Sequence, residues 1–195
     1  MRLVVLMIMS AALIVSPVSA GADPGGDHDG SLDRLVALVL ERLDTGDAVA
    51  AAKWVSAAQT GAEPTIDDPA REAVVYDTMA RLGAGRELPE SWVRQVFSGQ
   101  IESNKVVQRG LITRWRFDPA SAPGAAPDLA SVRPVIDRVN IDIVDQLAAR
   151  RVELSAPDCA ERVAYSVFGV FTAGNTDALH QAALVRAAAA LCAPR

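Results

Sequence analysis

The chain has 195 residues, 19 of them Lys or Arg against 24 Asp or Glu, for a net charge of −5, and half of its residues are hydrophobic. The balance is acidic and no basic tract stands out, which argues against nucleic acid as a partner. Two cysteines, no Cys-x-x-Cys pair and two histidines far apart, His28 and His180, leave too few ligands for zinc, so no metal or other cofactor is expected.

The first twenty residues, MRLVVLMIMSAALIVSPVSA, carry one arginine, an apolar run from Leu3 to Val15 and a small-residue close at Val18-Ser19-Ala20. This is the pattern of a secretory signal peptide, and the run is short for a membrane span. Cleavage after Ala20 removes one arginine and no acid, leaving 18 basic and 24 acidic residues and a net charge of −6. The mature protein is expected to be secreted or periplasmic, without a membrane anchor. About 175 residues remain, enough for one domain with a real core. Residues 21–30, GADPGGDHDG, read as a flexible leader, and residues 31–195 as the domain.

A helical pattern follows, with Leu32, Leu35, Val36, Val39, Leu40 and Leu43 at spacings of three and four and Ser31 as its cap. It continues through Ala48–Trp54 despite Gly46, and residues 56–66 read as a loop. A second helix starts at DDPARE, with Asp68 capping and Pro69 in the first helical position, and stops at Gly83. A third opens at Pro89-Glu90 and buries Trp92, Val93, Val96, Phe97, Ile101, Val107, Leu111, Ile112 and Trp115; at about 1.5 Å per residue it is about 40 Å long. Residues 117–128, FDPASAPGAAPD, form a Pro/Ala/Gly linker inside the domain. Beyond it Val132, Val135, Ile136, Val139, Ile143, Val144 and Leu147 keep a helical period, with Pro134 acceptable in a first turn. Two helices near 158–172 and 176–192 each hold one cysteine. Two cysteines in an exported chain pair as a rule; a Cys159–Cys192 disulfide closes a loop of about 33 residues and contributes roughly 3–4 kcal/mol in the chain-entropy model. No stretch alternates as a strand does and no internal repeat is visible. The fold class is all-α: one bundle of about six helices around one long central helix, with no sheet.

Several polar residues interrupt faces that a plain bundle would bury. Arg42 and Lys53 are eleven residues apart, about three turns plus 20°, so both project from one side of a continuous helix. Arg71 and Glu72 follow Asp68 in the first turn of the second helix. Asn104 and Gln108, in IESNKVVQ, stack one turn apart among Ile101, Val106 and Val107. Each has an ordinary explanation taken singly: solvated cations, a helix cap, polar groups satisfied by main chain. Gathered together they make a pocket of three cations, two acids and two neutral hydrogen-bonding groups.

In their order and spacing, ERLDTGDAVAAAKW, DDPARE and IESNKVVQ resemble the all-helical chorismate mutases, above all their secreted bacterial subclass. That family has an Arg followed eleven residues later by a Lys, then Asp-x-x-Arg-Glu. A Ser or Thr stands 33 residues after the second Arg, and a Gln or Glu four further on. Here these positions hold Arg42, Lys53, Asp68, Arg71, Glu72, Asn104 and Gln108; Asn104 departs from the usual Ser or Thr. WVRQVFSGQIE, the linker RWRFDPASAPGAAPDLASVR and the C-terminal cysteine pair extend the likeness over residues 31–192. The resemblance implies a homodimer acting on chorismate. It implies that Lys53 and Gln108 meet the ether oxygen of the substrate, and that Arg42, Arg71 and Arg133 bind carboxylates or position the substrate. It further implies that Asn104 helps hold a carboxylate and that Glu72, with Asp68, takes the hydroxyl. Arg133 is the arginine from the chain's second half that completes the pocket, with Arg138 the competing position. The catalytic set is then Arg42, Lys53 and Gln108. Two other readings of the same scaffold stay open: pyruvate elimination from isochorismate, and a secreted binding protein without turnover.

Overall fold

The computed structural model describes residues 32–194; the expected signal peptide, the leader and the Ser31 cap lie outside the described residues. Among those residues the chain forms seven α-helices and no strand. They are α1 (Asp33–Thr60), α2 (Pro69–Ala84), α3 (Glu90–Phe117), α4 (Leu129–Ala149), α5 (Arg151–Ser155), α6 (Cys159–Thr172) and α7 (Ala178–Ala188). A 3-10 turn, Pro119–Ser121, follows α3 in the linker. The all-α class is as expected, and the helix beyond the expected six is α5. Its five residues are too few to display a hydrophobic period.

The central position is shared, not held by one helix. α1 and α3 have 28 residues each, about 42 Å, and pack along one another. α2 and α4 close one side of this pair; α6 and α7 close the other. α1 has neighbours nearly all round, so Leu38 is buried along with Leu35, Val36, Val39 and Leu43. Opposite them lie Trp92, Val93, Val96, Phe97 and Val107 of α3 and Val139, Ile143, Val144 and Leu147 of α4. Among the described residues no helix is long and apolar enough to cross a membrane.

Several helix ends differ from expectation, for local reasons. α1 runs to Thr60, through the start of the expected loop, and stops where Gly61 turns left-handed at φ 70°, its N–H bonded to the carbonyl of Ala57. At the start of α2, Asp68 accepts the main-chain N–H of Arg71 at 3.0 Å and Pro69 takes the first position, as expected. The helix passes through Gly83 and ends at Ala84. Gly83 is instead a contact point, since a Cβ there would lie 2.6 Å from Val93 Cγ2. In α4 the carboxylate of Asp128 accepts from Ala130 N–H at 2.8 Å, which places Pro134 beyond the first turn, inside the helix. Pro134 and Ala130, whose carbonyl loses its i+4 donor, are both exposed, so water can serve that oxygen.

The Cys159–Cys192 disulfide is formed, with the Cα atoms 6.0 Å apart. Cys159 opens α6, but Cys192 lies beyond the end of α7 and not within it. Main-chain acceptors of this tail are held from α3. Trp92 Nε1 donates to the carbonyl of Leu191 at 2.9 Å, and Gln95 Nε2 donates to those of Ala190 and Cys192 at 3.0 and 2.9 Å.

Candidate active site

A cavity of about 390 Å³ opens where α1, α2, α3 and the start of α4 meet. All eight expected substrate-binding residues line it: Arg42 and Lys53 from α1, Asp68, Arg71 and Glu72 from the α2 start, Asn104 and Gln108 from α3, Arg133 from α4. Apolar walls come from Val49, Ile66, Val75, Ile101, Val132 and Ile136. Arg138 is not among the lining residues. Its guanidinium is held by Glu41 and, at 3.0 Å, by Asp142.

The helices bring these groups together by close approach at Gly46. A Cβ there would stand 3.1 Å from Asn104 Nδ2 and 3.2 Å from Val107 Cγ1. The missing side chain lets α1 and α3 meet, and Asn104 Nδ2 donates across the gap to the carbonyl of Arg42 at 3.3 Å. Gln108 Nε2 in turn donates to Asn104 Oδ1 at 2.6 Å. The two amides therefore form a chain on one face of α3. One N–H of the Gln108 amide stays uncommitted, because the group carries two.

Two cations of the cavity, Arg42 and Lys53, donate to neutral groups. Arg42, 6% exposed, donates through Nε to Asn140 Oδ1 at 2.8 Å and through Nη1 to the carbonyl of Gln100 at 3.1 Å. Burial pushes its pKa down to about 10, so it remains a cation at neutral pH. Lys53 Nζ donates to the carbonyl of Ile66 at 2.6 Å. Burial lowers its pKa, opposed by the charges of Asp68 and Asp67. Arg71 and Arg133 sit at the more exposed side of the cavity. Such an arrangement leaves positive charge available to an anionic ligand, and it sits in walls that can hold a hydrocarbon ring.

The acids are organised differently. Glu72 Oε1 accepts the main-chain N–H of Asp68 at 3.3 Å and the ammonium of Lys105 at 2.8 Å. Lys105 also lines the cavity, and it holds Glu102 at 2.9 Å and Asp67 at 3.0 Å. Sequence reasoning passed over Lys105, although it stands inside the IESNKVVQ stretch. Asn140 was passed over too, although a signal was present. It falls within the helical period Ile136, Val139, Ile143, Val144 and Leu147, the same anomaly that drew notice to Asn104 and Gln108. Among the described residues no cluster of His, Cys, Asp and Glu could hold a metal ion.

The family model for chorismate mutase type II matches residues 32–109, from the start of α1 into the second half of α3. Similarity to curated proteins runs nearly the full length. The chain is 31% identical over 186 residues to the secreted chorismate mutase of Mycolicibacterium smegmatis, covering 95% of this chain and 99% of that protein. It is 30% identical over 189 residues to the secreted chorismate mutase of Mycobacterium tuberculosis, covering 94% and 90%. Two crystal structures of chorismate mutases align with the fold. That from Burkholderia thailandensis has a TM-score of 0.75 at 32% identity, covering 84% of this chain and all of that one. That from Burkholderia phymatum has a TM-score of 0.76 at 33% identity, covering 87% and 100%.

Proposed function

The chain belongs to the chorismate mutases of type II, and from that premise we propose how its cavity turns chorismate into prephenate. The activity is an isomerisation and chorismate is the substrate. Chorismate is a dianion with a hydroxyl and an enol ether. Within one molecule a C–O bond breaks as a C–C bond forms, with no proton to abstract and no covalent intermediate to hold. The protein has two tasks: to keep the substrate folded with its ends in reach, and to stabilise the negative charge that grows on the ether oxygen.

The observation that supports placing these tasks in the cavity is that Arg42, Lys53, Arg71 and Arg133, besides the carboxylate-bound Lys105, stand around one space with apolar walls. Arg42, Arg71 and Arg133 meet the carboxylates, for which the planar guanidinium fork is suited. Lys53 and the uncommitted N–H of Gln108 donate to the ether oxygen. The ammonium of Lys53 carries three N–H donors, and the carbonyl of Ile66 takes one of them, so it can hold both that carbonyl and the substrate. Asn104 orients Gln108 and helps hold a carboxylate. Glu72, kept in place by Lys105, and Asp68 take the hydroxyl.

The test follows the loss of the diene absorbance of chorismate, with the product identified chemically, beside Arg42→Ala and Lys53→Ala. Prephenate formed by the wild type and largely lost in both folded variants supports the assignment. Variants with wild-type turnover remove the cavity from the reaction. A Gln108→Glu variant sharpens the role of Gln108. A neutral amide donates at any ordinary pH, whereas a carboxyl donates only when protonated, so the variant is expected to lose activity at neutral pH and regain it in acid. A flat pH profile would take Gln108 away from the ether oxygen.

Export and assembly belong to the same proposal. The relatives are secreted chorismate mutases, in keeping with a signal peptide cut after Ala20; the N-terminal sequence of the exported protein tests that site. A homodimer is proposed from the family likeness, and sedimentation measures it. The proposed set, Arg133 included, is drawn from a single chain, so on this reading activity per chain is expected to stay constant on dilution through dissociation.

A further inference from the structure

Arg42 is deeply enclosed, and the two groups that accept its hydrogen bonds carry no net charge. Its Nε–H ends on Asn140 Oδ1 and one Nη1–H on the carbonyl of Gln100. Asn140 belongs to α4, 98 residues further along the chain, and is only 2% exposed. We infer that Asn140 is a positioning residue for the rearrangement: it fixes which edge of the Arg42 guanidinium meets the substrate, and it leaves the charge of that guanidinium uncancelled. This rests on the reading of the cavity as the active site.

The edge follows from donor inventory. A guanidinium grips a carboxylate side-on, through Nε–H and the neighbouring Nη2–H, or end-on, through its two Nη groups. Asn140 occupies Nε–H, which closes the side-on grip. The Gln100 carbonyl takes one N–H of Nη1. What remains is end-on: the second N–H of Nη1 and both of Nη2, on a residue that lines the cavity. With Nε–H and Nη1 both anchored, the plane of the guanidinium is set before substrate arrives, which is the preorganisation that electrostatic catalysis requires.

The charge follows from the choice of side chain. The common partner of a buried arginine is a carboxylate. Asparagine presents a similar oxygen from nearly the same shape without the negative charge. A carboxylate in its place would cancel the cation that the anionic substrate must meet. The same rule holds at Lys53, whose partner is a main-chain carbonyl.

The test is Asn140→Asp beside Asn140→Ala, in the full mature protein with chorismate. The aspartate keeps the acceptor and adds a charge. It is expected to lower kcat/KM about ten- to a hundredfold, the usual weight of the charged hydrogen bond from Arg42 to the substrate that the added charge competes with, while thermal stability is held or raised. The alanine is expected to lower kcat/KM by a similar factor and to lower stability as well. A merely structural asparagine predicts activity following stability in both variants, so the aspartate, with activity lost and stability held, separates the two. Should one variant fail to fold, the other carries the same comparison against Arg42→Ala. In an Arg42→Ala background neither change is expected to lower residual turnover further, because the effect passes through Arg42. A folded Asn140→Asp protein with wild-type kcat/KM overturns the inference. If Arg42→Ala itself keeps full turnover, the reading of the cavity fails instead, so the two failures are distinct.

Discussion

Two buried cations line the cavity and meet burial in opposite ways. Arg42, on α1, is surrounded by the neutral oxygens of Asn140 and Gln100. Lys105, on α3 and 7% exposed, is surrounded by the carboxylates of Asp67, Glu72 and Glu102. Burial pushes the pKa of Arg42 down to about 10. Burial acts in the same direction on Lys105, but hydrogen bonds from its ammonium to Glu72, Glu102 and Asp67 outweigh it and the pKa rises. The contrast separates two uses of charge. At Arg42 the charge stays available to an anion. At Lys105 it is consumed in holding α3 to the start of α2 and to the segment before it.

The largest expected effect breaks the Arg42 side. Arg42→Ala is expected to lower kcat/KM for chorismate by about 10²–10³-fold, or about 3–4 kcal/mol of transition-state stabilisation, as for loss of one preorganised donor. Steady-state kinetics on chorismate checks this. Next is a change that spares both cations. Replacing Cys159 and Cys192 by serine is expected to remove about 3–4 kcal/mol of stability in the chain-entropy model. KM should not move, because neither cation has a partner in α6 or in the tail. Chemical denaturation and kinetics on one preparation read both quantities.

Breaking the Lys105 side is expected to show in stability before activity. Lys105→Met leaves three acids facing one another. Removing one partner from a buried charge cluster is destabilising, and the exposure of these acids, Asp67 above all, moderates the loss through solvent screening. The loss should depend on pH. The hydrogen bond from Lys105 holds the Asp67 carboxyl below its ordinary range. A group with a depressed folded pKa stabilises above its unfolded pKa, and that contribution is lost as pH falls through the folded value. The stability gap between wild type and Lys105→Met should therefore narrow below about pH 4, as melting curves across pH would show. The smallest effect is expected at Arg138, an exposed cation paired with Glu41 and Asp142. Arg138→Ala is expected to stay within about 0.5 kcal/mol in stability and to leave turnover unchanged.

Much of the fold was legible because its signals are local. Spacings of three and four mark α1, α3 and α4, and Asp68 with Pro69 marks the start of α2. α5 was not legible, being a single short turn between α4 and α6. Gly83 misled because a glycine near a helix end fits both a stop and a close contact, and only the position of Val93 separates the two. Of the cavity, Arg42 with Lys53 and Asn104 with Gln108 could be read as pairs, since each pair lies on one continuous helix. Lys105 and Asn140 could not be given roles, because Asp67 and Glu72, and Arg42, which meet them, come from other segments of the chain.

The sequence by itself determined the helical class, the order of the main helices and the face on which each polar residue sits. Helix periodicity ties those to neighbours within a few turns. Only the tertiary structure decided that Arg133 lines the cavity while Arg138 pairs with Glu41 and Asp142, and that Gly46 lets α1 meet α3. It also decided that one buried cation is ringed by neutral oxygens and the other by carboxylates. Those outcomes depend on which helices touch and at what height. Groups as much as 98 residues apart in the chain then lie within a hydrogen bond of each other, a relation that local spacing does not encode.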